Sequence, residues 1–119
     1  MPETTDTEKV IFKHAKGTFR RLSTANYTNW NRNMRRLLRS LMAWSIIDEN
    51  EEMPPDAPQD ATAAIHCQYQ IKQQEYAQKA EDAATATHNA CSSDVHPYID
   101  HLGNPADMWR ILRERAAPL

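Results

Sequence analysis

Chemistry in a chain this short would have to come from its histidines, cysteines and clustered charges. The histidines are His14, His66, His88, His96 and His101, and the cysteines are Cys67 and Cys91. Cys91, His96 and His101 come nearest to zinc spacing, but a structural zinc needs four ligands and no fourth soft ligand lies nearby. His96 and His101 are five apart, a poor fit to one face of a helix. No His-Glu-x-x-His, Gly-x-Ser-x-Gly, Asp-Thr-Gly or Asp-Ser-Gly signature occurs. With only Gly17 and Gly103 available, a glycine-rich phosphate loop, a dinucleotide fingerprint or a primed hairpin turn has no standard form. The expectation is therefore no catalytic site, metal or cofactor, and a protein that is not an enzyme. The cysteines read as two buried, reduced thiols.

Charge is the stronger signal. The 119 residues hold 14 Lys+Arg and 16 Asp+Glu, for a net charge of −2, which excludes a simple polycation. The total hides segregation. From Lys9 to Ile47 there are nine basic residues and no acid, whereas Asp48 to Asp60 holds six acids and no base. Such blocks either form opposed surface patches, which steer partners or order identical subunits head to tail, or fold together and neutralise each other. The basic candidates are Arg32, Arg35, Arg36 and Arg39, as a contact for phosphate or for acidic protein.

The elements that carry these residues are helical. Length fits one domain, mean hydropathy is −0.78, and no apolar run approaches the ~18–20 residues that cross a bilayer. The polar start Met1-Pro2-Glu3-Thr4-Thr5-Asp6 resembles neither a secretory signal nor a transit peptide, so a cytoplasmic location is expected. Residues 1–22 read as a polar tail and a short apolar lead-in, undecided between extended and helical, and 23–117 as the helical domain. After a capping run at 23–26, Tyr27, Trp30, Met34, Leu37, Leu38, Leu41 and Trp44 share one stripe at the helical step of about 100°. This predicts a helix over roughly 26–45, with the four arginines opposite the stripe.

Pro54, Pro55 and Pro58 make 49–60 a loop. Asp60 or Thr62 caps a long helix reaching about Cys91, with a stripe of Ile65, Tyr69, Tyr76, Ala80, Ala83, Thr87 and Ala90, Lys72 snorkelling within it, and a break expected near 84–87. A short helix over 95–102 stops at Gly103. Asn104-Pro105-Ala106-Asp107 then opens the last helix, with an Asn cap, Pro in the first turn and an early acid. No strand pattern stands out. The fold class expected is all-α, a compact orthogonal-type bundle of about four to five helices. The three tryptophans read as core anchors.

The pattern Leu22-x-x-x-Asn26-Tyr27-x-x-Trp30-x-x-x-Met34-x-x-x-Leu38 resembles the start of the N-terminal capsid domain of Gag from copia-type LTR retrotransposons. Leu41-x-x-Trp44-Ser45-Ile46-Ile47 is similar to the hydrophobic end of that family's helix. Residues 105–112, with Trp109 and Leu112, resemble its closing Trp-x-x-Leu helix, although Ala106 stands three before Trp109 where the family commonly has four. The likeness covers about 22–47 and 94–115. It implies a retroviral-capsid N-terminal-domain-like fold that self-assembles into virus-like particles around element RNA, with itself and possibly that RNA as partners, and neither membrane nor small-molecule substrate. A Gag of this type continues into a second helical capsid domain, and many carry a zinc knuckle; neither lies in these residues. An excised domain, a truncated element and a host-retained relative all fit. The alternative is a domesticated Gag-derived module that binds RNA through the arginines, or a protein peptide in an apolar slot near Ile71 or Tyr98.

Overall fold

Residues 10–23, 26–48 and 51–116 are described by the structure, a computed structural model. The first elements among the described residues are strands, β1 (Ile11–His14) and β2 (Gly17–Arg20), paired antiparallel with Ile11 opposite Arg20 and Phe12 opposite Phe19. The molecule is thus mainly helical with a small two-stranded sheet, a correction to the all-α expectation. Each strand has four residues and turns one large ring inward, Phe12 and Phe19, whose centroids lie 5.4 Å apart. So short a run leaves alternation almost invisible in sequence. Among the described residues neither the hairpin turn nor either glycine has positive φ, so the turn does without the glycine that a primed type requires.

The lead-in is part of the core. Phe12 and Leu22 are buried in the same cluster as the helices. Leu22 pairs in parallel with the end of the long helix: its N–H donates to the Ala90 carbonyl (2.8 Å), and its carbonyl accepts from Ser92 N–H (3.0 Å). The Arg21 side chain donates to the carbonyls of Ile11 (2.7 Å) and Asn89 (2.9 Å), tying hairpin and helix to one residue. The expected tail, residues 1–8, lies outside the described residues.

Five helices follow: α1 (Tyr27–Ser40), α2 (Trp44–Asp48), α3 (Ala63–Asn89), α4 (His96–Ile99) and α5 (Pro105–Ala116). The predicted stripe of α1 is buried through Tyr27, Trp30, Met34, Leu37 and Leu38. The helix ends at Ser40, however, rather than near 45. Met42 takes φ 58°, Met42 N–H donates to Arg39 O and Ala43 N–H to Leu38 O, a Schellman stop. That left-handed position usually belongs to glycine, so a methionine there hides the stop from the sequence. Trp44 then opens α2, still buried. The Asn26 side chain does not cap α1; its Oδ1 accepts from Ser23 N–H (2.8 Å) and its Nδ2 donates to Arg21 O (3.0 Å), fixing the approach to the helix.

Thr62 is the cap of α3, its Oγ1 accepting from Ile65 N–H at 3.3 Å. The helix runs unbroken through the expected break at 84–87. Only its C-terminal third enters the core, through Ala83, Ala86 and Thr87. Upstream on the predicted stripe, Ile65 is exposed while Tyr69 and Tyr76 are half-buried. Lys72 is exposed, its Nζ 5.8 Å from the centre of the Tyr69 ring. Helical period says which face is apolar, not how far neighbouring elements reach along it. At 27 residues and ~1.5 Å each, α3 accounts for much of the 61 Å long dimension. Asn104 Oδ1 accepts from Ala106 N–H (2.8 Å) and Pro105 occupies the first position of α5, as the sequence predicts.

Three tryptophans form the centre. Trp30 stacks on Trp109 with centroids 5.1 Å apart, and Trp44 meets Trp109 edge to face at 5.2 Å. Trp109 Nε1 donates to Thr87 Oγ1 (3.1 Å), which explains a fully buried threonine. Trp44 Nε1 is buried without a partner among the described residues.

Candidate functional site

The core gathers the residues that carried the resemblance. Leu22, Tyr27, Trp30, Met34, Leu38, Trp44, Trp109 and Leu112 are all buried and Asn26 is half-buried. These side chains define the scaffold and leave recognition to the outer faces.

On the outer side of α1, Arg32, Arg35, Arg36 and Arg39 are exposed and together line a shallow groove. Spacings of three, four and seven residues put them along one side of the helix, about 10 Å from first to last. A second hollow adjoins it, lined by Arg20, Asn26, Asn29, Arg32, Asn33 and the edge of Trp30. Arg35 lies over the Trp44 ring, 5.4 Å from its centre, a cation–π contact that anchors the middle of the row. None of the four arginines has a carboxylate within ion-pair distance among the described residues.

The acidic segment is elsewhere. Residues 51–61 form a strap along α3: Tyr76 Oη donates to Glu51 O (2.9 Å), and Gln73 Nε2 to Pro54 O (3.1 Å) and Asp56 Oδ1 (2.8 Å). Lys79 Nζ lies 3.4 Å from Glu51 Oε2. Of the two sequence alternatives, separate patches or mutual neutralisation, the described part of the acidic run keeps clear of the α1 arginines. The prolines hold the strap extended, so its carbonyls are free to meet side chains of α3.

Between the strap, α2, α3 and the start of α5 lies an open cleft of about 620 Å³, lined by Ile46, Glu51, Glu52, Met53, Tyr76 and Asp107 among others. Among the described residues no basic side chain lines it. The Tyr76 phenol is pushed above its ordinary value of 10.0, first by burial and then by the charges of Glu51 and Glu52. Sequence reasoning reached the acidic run but not the cleft, because Asp107 reads only as a helix-start acid.

Other candidates are scattered. Cys91 is buried, and burial pushes its thiol up to about 12; Cys67 is exposed, contrary to expectation, because it lies on the unpacked part of α3. No group of three or more metal-ligating side chains converges among the described residues. His88 and His96 were missed as a pair: their rings stack 4.0 Å apart, His88 Nε2 meets Asp100 Oδ1 at 2.7 Å, and His96 Nε2 donates to the His88 carbonyl at 2.9 Å. Their spacing of eight gives no sequence cue, since a turn between α3 and α4 brings them together. Ile71 and Tyr98 are both exposed, and Arg115 covers Tyr98 at 5.2 Å from its ring centre. No described helix is long and apolar enough to cross a membrane. No family model, curated protein or solved structure matches the chain.

Proposed function

We propose that this chain is a Gag-like capsid domain of a copia-type LTR retrotransposon, a structural protein that self-assembles in the cytoplasm into virus-like particles packaging element RNA. The observation that carries the reading is the separation of charge on a rigid frame. The row Arg32, Arg35, Arg36 and Arg39 is unpaired within the described chain, while the strap with Glu51, Glu52 and Asp56 is fastened to α3. Shell subunits need several weak polar faces, because assembly must stay reversible until the shell closes. Support also comes from the resemblance residues, which pack into one cluster although they come from both ends of the sequence.

Light scattering after size exclusion, over a range of protein concentration and at two salt concentrations, tests the reading. The expected result is a mass that grows with concentration and shrinks with salt, since exposed charges more than about 10 Å apart are screened at 0.1 M. A strict monomer at every concentration would overturn self-assembly through these faces. It would favour the second reading, a domesticated Gag-derived module, for which the groove of four arginines beside Asn29 and Asn33 offers phosphate contacts.

A further inference from the structure

The arginine row and the acidic cleft are complementary, and nothing described within one chain brings them together. We infer that they meet between copies: the Arg32–Arg36–Arg39 side of α1 of one molecule docks its side chains into the cleft bounded by Glu51, Glu52 and Asp107 of the next. The inference rests on the assembly reading above and names its contact.

Three observations carry it. The first is charge. Among the described residues every ionisable side chain lining the α1 groove is an arginine, and the carboxyl-bearing side chains Glu51, Glu52 and Asp107 line the cleft with no cation in its wall. Glu52 has no ion-pair partner among the described residues. Among the described residues the ion pairs of Glu51 and Asp107 are half-exposed contacts to Lys79 (3.4 Å) and Arg110 (3.5 Å), of a kind worth under ~1 kcal/mol and readily exchanged, and Glu51 Oε1 also accepts from Ser45 Oγ at 3.3 Å. The second is size. A cleft of about 620 Å³ belongs to the range that admits side chains or small ligands, roughly 300–1,000 Å³, so long arginine side chains enter while the helix itself rests on the rim. The third is chemistry. Met53 is exposed and half-buried Tyr76 lies in the wall, and both give the methylene stems of arginine an apolar surface while the guanidinium reaches a carboxylate. The contact joins two different patches, so each molecule offers one of each and growth runs head to tail.

Two variants of the full chain test it. A basic-face variant carries Arg32→Glu, Arg36→Glu and Arg39→Glu, leaving Arg35 on Trp44. A cleft variant carries Glu51→Lys and Glu52→Lys. Circular dichroism checks that each keeps its helices, and Glu52→Lys alone serves if the double change unfolds the strap. Under conditions where the unmodified chain grows, each variant by itself should weaken self-association by more than about tenfold, since like charges then face each other. An equimolar mixture should pair and regain growth as an alternating chain, because the unaltered row and cleft meet at one junction and the Glu-bearing row meets the Lys-bearing cleft at the next.

Growth of either variant like that of the unmodified chain, or a mixture that fails to pair, would overturn the contact while leaving assembly through other faces intact. An unmodified chain that never grows would overturn the contact and the assembly reading together. If the basic-face variant loses a single-stranded RNA oligonucleotide while its self-association is unchanged, the arginines belong to nucleic acid and the inference fails.

Discussion

Replacing Trp30 by alanine removes a side chain that joins α1 to α5 and to the end of α3. The residue is 1% exposed. Its ring stacks on Trp109 and lies 6.1 Å from that of Tyr27, and its Nε1 donates to the Ala90 carbonyl at 2.9 Å. The same carbonyl also accepts Leu22 N–H at 2.8 Å, so truncation leaves it satisfied and adds no orphan acceptor. The cost is burial and cavity. An aromatic ring that buries ~150–250 Å² at ~25 cal/mol per Å² is worth about 4–6 kcal/mol as an upper bound. Partial collapse of neighbours brings the expected loss for Trp30→Ala to about 3–5 kcal/mol. Trp30→Phe, which keeps a ring and forfeits mainly the hydrogen bond, should lose about 1–2 kcal/mol. Urea unfolding followed by circular dichroism, with the slope checked for constancy, separates the two. Against a total of about 5–15 kcal/mol the alanine variant should be visibly marginal. A loss under about 1 kcal/mol would refute the placement of Trp30 at the centre of the core.

Thr87→Val should cost about 1–3 kcal/mol by stranding the Trp109 indole N–H, whereas Thr87→Ser should retain most of the stability; equal thermal shifts would remove the hydroxyl from its assigned role. Met42→Gly should stabilise by about 0.5–1 kcal/mol, the relief of the left-handed strain exceeding the added freedom of the unfolded chain; a destabilised variant in urea melts would contradict the φ of 58°. Thiol titration of the native chain should label Cys67 and spare Cys91 until denaturant is added. The Cys91 thiol ionises ordinarily at 9.0 and in the fold at about 12, so the unfolded state loses its proton first and stability should fall as pH rises through that window. Stability independent of Cys91→Ala between those pH values would argue against a buried, neutral thiol.

The legible parts of the fold were those with a strong local signature. The α1 stripe repeats large apolar residues at helical spacing, the α5 start has its asparagine and proline in order, and prolines 54, 55 and 58 mark the strap. What escaped was set by distant partners or by an unusual residue. The stop after Ser40 is invisible because Met42 holds a position where glycine is expected. The hairpin depends on the contact of Phe12 with Phe19 and on its anchoring by Arg21. Ile65 sits on the periodic stripe of α3 yet is exposed, since only the C-terminal third of that helix reaches the core. At the candidate site, the arginine row was readable from spacing alone. The cleft was not, for it joins Glu51 and Glu52 to Asp107, which the packing of α2 and α3 against α5 brings near.

That same packing bears on what kind of assembly a head-to-tail contact can build. The arginine row is mounted on α1, and α1 is locked to the end of α3 through the Ala90 carbonyl, which accepts from both Trp30 and Leu22. The acidic cleft is mounted on the middle of α3, where Tyr76 and Gln73 hold the strap, and on α5, which Thr87 holds to the end of α3 through Trp109. Both faces are therefore carried by one continuous helix and one core, and the rotation from one face to the other is set by covalent geometry and tight packing rather than by a linker. A heterologous contact repeats that rotation at every step, closing into a ring if it divides a full turn and spiralling if it does not. Individual ion pairs at such a contact are weak. In an assembly built on the inferred contact, curvature would therefore come from the core, where large energies fix the angle, and reversibility from the charged rim, where small ones make and break the contact.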